Sequence, residues 1–302
     1  MIPIRSAASN RGVWPPIINH TVAVPGAFVA LVVLAAAALN VAAWTVLTET
    51  GVRAAVLDPI ASMTAGVVQP TFLVYAVFGV VIASLFWARG YAPGLVGLRR
   101  KDLRTAIVIV GGVWLVAQTT TIVVSVATTG TVLLAPTLAT GGLWTLLGLF
   151  LAQVLGNALY EEVLYRGFLL TALHARFVKH MRNWPFIAAL ALSQSIFALV
   201  HVPSRLVEDV VGISLAANLF VVFLTGIGFA LLYYRTRNLL LVVGVHALLN
   251  YPTVVFGTEQ VAILTVVAVS LVLVVTWPLL EKRLQAGITE SADQPAAARP
   301  PL

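Results

Sequence analysis

Long apolar runs separated by short polar segments make up most of the sequence. A helix rises 1.5 Å per residue, so about 20 apolar residues cross the roughly 30 Å hydrocarbon core of a bilayer. The runs are continuous rather than alternating, which excludes the strands of a membrane β-barrel. The pattern therefore predicts an all-α, polytopic integral membrane protein. Its eight predicted spans are Pro25–Leu47, Val67–Trp87, Ala106–Val126, Leu143–Arg166, Pro185–Val202, Gly212–Tyr234, Leu239–Val255 and Val261–Leu280.

The polar segments outside the spans divide the chain into three parts. Residues 1–24 form a polar lead, and the 23-residue apolar run after it predicts a retained helix rather than a signal peptide. Residues 25–280 form the transmembrane helical domain. Residues 281–302 show no apolar periodicity, so we expect a disordered tail.

Composition and charge agree with this class and exclude others. Apolar residues make up 60% of the chain and charged residues 10%, whereas soluble domains carry about 25% charged residues. The absence of cysteine excludes thiol nucleophiles and cysteine-ligated metal sites. Fifteen lysines and arginines lie on one side of the predicted bilayer and two, Arg53 and Arg205, on the other. This bias predicts cytoplasmic termini and explains the net charge of +7 without a nucleic-acid partner.

Three ionisable residues interrupt the fourth apolar run: Glu161, Glu162 and Arg166. Each charge at the bilayer centre costs about 2.5–3.5 kcal/mol, so it needs a partner or a polar cavity. Glu162 and Arg166 are four residues apart, which predicts an ion pair on one helix face. Glu161 points about 100° away and has no local cation, an environment that suits a general base. Alternatively, both glutamates simply end the helix at the cytoplasmic surface.

Two later spans carry further candidates. Phe197 and His201 are four residues apart on one helix face, and so are His246 and Asn250. A lone histidine in a span is usually a packed core residue. Two histidines, an asparagine and an acidic pair in neighbouring spans favour a common polar site instead.

Depth in the bilayer gives a test of this common site. Counted from the cytoplasmic ends of their spans, Glu161, His201 and His246 lie about 22, 24 and 17 Å deep. With ordinary helix tilts the three can meet at one level. This requires the fourth helix to continue past Arg166 towards Arg176.

These residues carry a resemblance to the CPBP family of intramembrane proteases (CAAX protease and bacteriocin-processing, or Abi), which includes Rce1-type prenyl-protein endopeptidases. The resemblance covers residues 143–255, and the other spans match only as membrane helices. The three motifs, in the family's order and spacing, are Glu161-Glu162-x-x-x-Arg166, Phe197-x-x-x-His201 and His246-x-x-x-Asn250.

The resemblance implies an enzyme that hydrolyses a peptide bond in a membrane cavity. Glu161 and His201 would activate the attacking water, and His246 and Asn250 would stabilise the oxyanion of the tetrahedral intermediate.

The same resemblance implies supporting roles for the remaining motif residues. Glu162 and Arg166 would orient the catalytic groups, and Phe197 would shape the pocket. The expected setting is a bacterial plasma membrane. The expected partners are lipid, a membrane-associated or prenylated protein or peptide substrate, and a membrane protein partner.

A metal is the open question of this mechanism. Glu161, His201 and His246 are residue types that can form a catalytic zinc site. The chain has no His-Glu-x-x-His sequence, the strongest zinc signature. The sequence therefore requires no cofactor, and a metal-free glutamate–histidine pair is our preferred reading, with zinc as the alternative.

Two other function classes compete with the protease. A non-proteolytic membrane protein of the same fold could use the polar cavity to bind a partner as a scaffold or regulator. A proton-coupled transporter could use buried Glu, His and Arg residues as a relay. The intact motif set favours the enzyme, and the lack of a visible internal repeat weakens the transporter hypothesis.

Overall fold

The computed structural model describes residues 24–48, 51–91 and 93–292, and these are largely helical. The one β-pairing in this part of the chain is an isolated antiparallel bridge between Leu134 and Phe256. The α-helices are α1 Gly26–Thr48, α2 Asp58–Met63, α3 Pro70–Trp87, α4 Leu103–Thr129, α5 Pro136–Ala152, α6 Ala158–Glu161, α7 Thr171–His180, α8 Pro185–Leu199, α9 Val202–Val207, α10 Gly212–Thr236, α11 Leu239–Asn250 and α12 Glu259–Ala292. Short π-helical segments span Arg53–Leu57, Gln153–Asn157 and Glu162–Leu170, and 3₁₀ turns span Pro93–Val96 and Arg100–Asp102.

The helices confirm an all-α polytopic membrane protein. Among the described residues, seven helical segments are long and apolar enough to cross a bilayer, and one shorter apolar helix, Leu239–Asn250, joins them. The eight predicted spans thus correspond to these eight segments, with one span shorter than predicted.

The predicted span Leu239–Val255 is too long because its helix ends at Asn250. Tyr251 is extended (φ −150°, ψ 93°) and precedes Pro252, and a residue before proline avoids the helical conformation. The chain then pairs with the segment before α5, where the Ala135 amide donates to the Val255 carbonyl at 3.0 Å. The last part of this predicted span is therefore a non-helical segment that is hydrogen-bonded to the backbone before α5.

The fourth span is much longer than the others. Helices α5, α6 and α7 join through two π-helical segments into one helical segment, Pro136–His180. Gly142 is non-helical (φ 72°, ψ 177°), so the regular helix starts at Leu143, the predicted boundary. The chain continues helically past Arg166, as a common polar site requires.

Helix α11 lies at the centre of the fold. Nine of its twelve residues are buried. A helix that is apolar and buried on all sides is surrounded by other helices rather than by lipid. Gly244 allows α4 to approach closely, because a Cβ at this position would lie 2.5 Å from a Val110 methyl carbon. His246 is thereby held inside the protein.

The ends of the chain are only partly described. Residues 1–23, almost all of the predicted lead, lie outside the described residues. Helix α12 continues to Ala292, past the boundary predicted at Leu280, and residues 293–302 of the predicted tail lie outside the described residues.

Candidate active site

The long segment Pro136–His180 carries the acidic motif near its middle. Glu161 is the last residue of α6, and Glu162 begins the π-helical turns that run to Leu170. Such turns are common at functional sites in helices. Glu161 is 5% exposed, and Glu162 and Arg166 are completely buried. The glutamates do not end the helix at the membrane surface, so that alternative is wrong.

Glu162 accepts two hydrogen bonds in a buried ionic network. Its Oε1 accepts from Nη1 of Arg166 at 2.9 Å and contacts Nδ1 of His246 at 2.7 Å. The predicted contact between Glu162 and Arg166 is therefore present. His246 comes from α11, so the network ties the long segment to the central helix.

Arg166 extends the network to two more helices. Its Nη2 donates to Oε1 of Gln194 in α8 at 3.2 Å and to the Gly226 carbonyl in α10 at 3.3 Å. Its guanidinium carbon lies 4.2 Å from the centre of the Phe197 ring, within the range of a cation–π contact. Phe197 thus supports Arg166 as well as the histidine in its own motif.

Gly226 makes room for this network, and sequence reasoning did not identify it. A Cβ here would lie 2.7 Å from Oε1 of Gln194 and 3.0 Å from Cδ1 of Phe197. An amide inside an apolar run is a signal that could have singled out Gln194. A glycine in an apolar helix carries no such signal.

Glu161 faces two imidazoles rather than a cation. Its Oε2 lies 3.6 Å from Nε2 of His246, and its Oε1 lies 4.0 Å from Nε2 of His201. Both separations exceed hydrogen-bond length. The carboxylate makes no hydrogen bond within the described part of the chain, although it is almost fully buried.

Backbone contacts orient His201, which follows α8. Nδ1 of its ring lies 2.7 Å from the Phe197 carbonyl oxygen. A carbonyl only accepts, so Nδ1 carries a proton, and Nε2 faces Glu161. The Phe197 ring packs edge-on against the imidazole, with ring centres 4.8 Å apart.

His246 bridges the two glutamates. An ionised carboxylate only accepts, so Nδ1 donates to Glu162, and Nε2 then points towards Glu161. The Phe229 ring stacks on the imidazole with ring centres 4.4 Å apart and 26° between planes. The ring is therefore fixed in both orientation and position.

Asn250 is the one predicted site residue that lies apart from this cluster. It is exposed, and its Nδ2 donates to Oε1 of Gln153 at 3.0 Å. Within the described residues it makes no hydrogen bond to Glu161, His201 or His246. The structure brings together six of the seven motif residues and leaves Asn250 on the adjacent turn of α11.

Two tyrosines pack against each other beside the acidic motif, and sequence reasoning missed both. Tyr75 comes from α3, and Tyr160 directly precedes Glu161. Their ring centres are 5.6 Å apart. The position of Tyr160 next to Glu161 was a usable signal, whereas Tyr75 is distant in sequence.

The described side chains do not form a recognisable metal site. Among the residues the structure describes, no group of three or more His, Cys, Asp or Glu side chains is arranged to hold a metal ion. Nδ1 of His246 is engaged by Glu162, and Nε2 of each histidine faces Glu161 at 3.6–4.0 Å. Glu161, His201 and His246, the ligands of the zinc alternative, nevertheless face one another, and a carboxylate on the second ring nitrogen, as on His246, is common for metal-binding histidines.

Comparison with known proteins gives one finding. Residues 143–252 match the family model for type II CAAX prenyl endopeptidase, Rce1-like. The chain contains an Rce1-like domain. This domain spans about a third of the chain and includes all seven motif residues. No curated protein and no solved structure gives a significant match.

The Rce1-like domain coincides with the site described above. It begins at Leu143, where the regular helix starts after Gly142, and it ends at Pro252, just beyond α11. The match supports a CAAX-type intramembrane protease in general terms. It also supports a membrane-associated peptide as the class of substrate.

Proposed function

We propose that this protein is an intramembrane endopeptidase in which Glu161 and His201 activate water to hydrolyse a peptide bond. The observation that carries the proposal is the pair of facing acceptor atoms, Oε1 of Glu161 and Nε2 of His201, 4.0 Å apart. The Rce1-like domain supports the reaction class.

When the His201 ring is neutral, its Nε2 and the Glu161 carboxylate are both acceptors, and neither can donate to the other. Water is a small molecule that donates one hydrogen bond to each of them. With hydrogen bonds of about 2.7–3.0 Å, one water molecule spans the gap between Glu161 and His201. This geometry favours a bound water whose oxygen lone pairs face the substrate.

The hydrolysis step follows from this arrangement. The water oxygen attacks the carbonyl carbon of the scissile bond, one water proton passes to Glu161, and the carbonyl π electrons move onto the oxygen. Protonated Glu161 then gives its proton to the leaving nitrogen, the oxyanion electrons re-form the carbonyl bond, and the C–N bonding pair leaves with the nitrogen. This step releases a carboxylic acid and an amine and restores the Glu161 carboxylate. His201 orients the water throughout.

His246 is our candidate for stabilising the oxyanion. Nδ1 is bound to Glu162, so Nε2 donates to the oxyanion when the ring carries both protons. The Glu162 carboxylate, which also accepts from Arg166, holds this ring in position through its hydrogen bond with Nδ1. Asn250 would add a second donor, as the family resemblance implies, but only by exchanging its hydrogen bond to Gln153 for one to the substrate.

The remaining motif residues position these groups. Glu162 fixes the ring orientation of His246, and Arg166 balances the charge of Glu162. Phe197 packs between Arg166 and His201 and holds the latter through its carbonyl. Such preorganised contacts keep catalytic groups in a reactive arrangement.

The proposed reaction uses no metal. Glu161 and His201 supply the proton acceptor and the water-orienting group that a metal-bound hydroxide would otherwise provide. Zinc remains the alternative, and its ligands would be Glu161, His201 and His246. Metal content and chelator response distinguish the two.

The proposed substrate is a membrane-associated protein or peptide, with a prenylated protein as one candidate. We propose that both termini and the loops rich in lysine and arginine lie on the cytoplasmic side of a bacterial plasma membrane, as the bias of basic residues predicts. A second membrane protein as partner is part of the same proposal. The test below distinguishes this protease from a non-proteolytic scaffold and from a transporter.

Terminal profiling tests the proposed function directly. Cells expressing wild-type protein and Glu161→Gln at matched membrane abundance are compared for new peptide termini in membrane and secreted proteins. Glu208→Gln is the matched control, because Glu208 is an exposed carboxylate bound to Arg205 at 2.7 Å.

The expected result is a set of termini present with wild type and Glu208→Gln but absent with Glu161→Gln. Identical profiles combined with full rescue of a deletion phenotype by Glu161→Gln would contradict the protease and favour a scaffold. Identical profiles without rescue would favour transport.

A further inference from the structure

We propose that the protein binds an anionic phospholipid, with the headgroup at Arg100 and Arg104 and one acyl chain in an apolar cavity beside α4. This inference goes beyond the proposed function, and its test needs no cleavage activity. Three features of the molecule support it: the lining of the cavity, its position along α4, and the charges at one of its ends.

The cavity has a volume of about 660 Å³ and lies between α4, α11 and the long segment Pro136–His180. Of the described side chains that line it, two carry polar atoms, those of Trp114 and Thr253. These two bond to each other, since Nε1 of Trp114 donates to Oγ1 of Thr253 at 2.9 Å. The lining therefore leaves almost no polar side-chain atom for the amide groups of a peptide, which are costly to bury unpaired. A hydrocarbon chain carries no such cost.

The position of the cavity suits the acyl chain of one leaflet. Ile107 of α4 is 63% exposed and Leu155 of the long segment is 53% exposed, although both line the cavity, so it is open at the side. Along α4 the lining runs from Leu103 to Trp114, which is about 16 Å of helix and roughly half the thickness of the hydrocarbon core. An acyl chain can therefore enter from the bilayer and lie along α4.

Two arginines lie at the end of the cavity where the headgroup of such a lipid belongs. Arg104 is three residues before Ile107 and seven before Gly111, so it shares a face of α4 with two lining residues. Arg100 begins the turn that leads into α4. Both arginines are exposed, and neither forms an ion pair within the described part of the chain.

The neighbouring carboxylate is paired with a different arginine, which leaves Arg100 and Arg104 available to an anion. Asp102 accepts from Nε of Arg99 at 2.6 Å. The Asp102 carbonyl also accepts from Nδ2 of Asn238 at 2.9 Å, and this bond holds the start of α4 beside the start of α11. Basic pockets between membrane helices bind anionic headgroups, and this end of the cavity has that character.

The test measures lipid binding to the purified full-length protein in detergent micelles by native mass spectrometry. The probes are dioleoylphosphatidylglycerol, which is anionic, and dioleoylphosphatidylcholine, which has the same acyl chains and no net charge. Arg100→Gln/Arg104→Gln removes the proposed headgroup contacts. Lys179→Gln/Arg182→Gln is the matched control, because it removes two exposed charges from the same predicted basic side, at the end of α7, which does not line the cavity.

A second pair of variants tests the acyl-chain contacts. Gly111→Leu narrows the cavity, and Gly112→Leu is its matched control. A Cβ at either glycine would meet nothing within 4 Å, and of the two only Gly111 lines the cavity. Leucine is also a better helix former than glycine, so we expect both variants to fold.

The wild-type protein should bind phosphatidylglycerol about 10- to 30-fold more tightly than phosphatidylcholine, because each of two basic side chains strengthens the attraction to an anionic headgroup. Arg100→Gln/Arg104→Gln should lose most of this preference, whereas Lys179→Gln/Arg182→Gln should keep it. Gly111→Leu should weaken the binding of both lipids by at least about fivefold, because the acyl chain would be overpacked. Gly112→Leu should bind both lipids as the wild type does.

Equal affinity of the wild type for the two lipids would overturn the inference. An equal loss of preference in the two double variants would also overturn it, because the charge effect would then be diffuse. Equal binding by Gly111→Leu and Gly112→Leu would contradict it as well, because the lipid would then lie outside the cavity.

If Gly111→Leu fails to fold, the fluorescence of Trp114 decides, measured as the difference between wild type and Trp114→Phe. Phosphatidylglycerol brominated in its acyl chains should quench this fluorescence, because Trp114 lines the cavity. The quenching should be much weaker when Arg100→Gln/Arg104→Gln is introduced into both proteins. Unchanged quenching would overturn the inference.

Discussion

The region around Glu162 and the region around Glu161 are adjacent in the chain and opposite in character. Glu162 is fully buried and accepts hydrogen bonds from Arg166 and His246. Glu161 is nearly as buried but faces the two histidines at 3.6 Å and 4.0 Å without a hydrogen bond among the described residues. A rotation of about 100° along one helix therefore separates a carboxylate paired with Arg166 from one that faces two histidines without a hydrogen bond.

The difference arises from charge compensation. Burying an ion is tolerated when a partner of opposite charge and further hydrogen bonds satisfy it, and Arg166 provides this for Glu162. Among the described residues Glu161 has no arginine or lysine within ion-pair distance and accepts no hydrogen bond, so we expect water or substrate to solvate it. We infer that substitutions at the two positions fail in different ways, one by losing catalysis and the other by losing stability.

The largest expected effect is on catalysis. Glu161→Gln should lower the cleavage rate by a factor of about 10²–10⁴, because general-base catalysis typically contributes that much. The melting temperature should remain near that of wild type, because the amide keeps the shape of the side chain. Rate and melting temperature are both measured in nanodiscs, with Glu208→Gln as control. An active Glu161→Gln would remove the distinction between the two glutamates.

The next effect is on stability. Arg166→Met leaves the buried Glu162 carboxylate without its cationic partner. This substitution should reduce the free energy of unfolding by about 3–5 kcal/mol. The double variant Glu162→Gln/Arg166→Met should recover part of this loss, because no unpaired charge remains. Denaturant titration in mixed micelles measures both. A double variant that is less stable than Arg166→Met would show that the charges are not coupled.

A smaller loss of stability is expected from a substitution in α10, at the glycine that contacts the buried ionic network around Arg166. Gly226→Ala should destabilise the protein by about 1–3 kcal/mol, the usual cost of overpacking, because its Cβ would collide with Gln194 and Phe197. Gly228→Ala is the matched control, since nothing lies within 4 Å of a Cβ there. The same titration compares the two. Equal stabilities would mean that Gly226 does not define the space around Arg166.

The smallest effect is expected from metal removal. Because Glu161 and His201 activate the water without a metal in the proposed reaction, dialysis against a zinc chelator should leave the cleavage rate unchanged. Elemental analysis of the purified protein should find no stoichiometric zinc. Loss of activity that zinc specifically restores would assign Glu161, His201 and His246 to a metal instead.

The part of the site that follows helix geometry could be predicted from the sequence. The spacing of Glu162 and Arg166 predicts their contact, and counting residues from the cytoplasmic ends predicts that Glu161, His201 and His246 meet at one level. Both results depend only on the rise and period of a helix. The continuation of the helix past Arg166 followed from the same count.

The contacts that depend on tertiary packing could not be predicted. Tyr75 packs against Tyr160 from α3, and Gly226 in α10 leaves room for Arg166. No local sequence pattern indicates either contact. Asn250 shares a helix face with His246, yet it bonds to Gln153 on another helix. The end of α11 was missed for a local reason, because apolar residues continue to Val255 while Pro252 stops the helix.

The most direct test of the central claim is a single-turnover cleavage reaction in ¹⁸O-labelled water. Wild-type protein in nanodiscs is mixed with less than one equivalent of substrate peptide, and mass spectrometry reads the new carboxyl terminus. Attack by a water held between Glu161 and His201 predicts one ¹⁸O atom in the first-turnover product, formed about 10²–10⁴-fold more slowly by Glu161→Gln. An unlabelled first-turnover product would mean that a carboxylate of the protein attacks the substrate. Labelled product formed by Glu161→Gln at the wild-type rate would mean that another group activates the water.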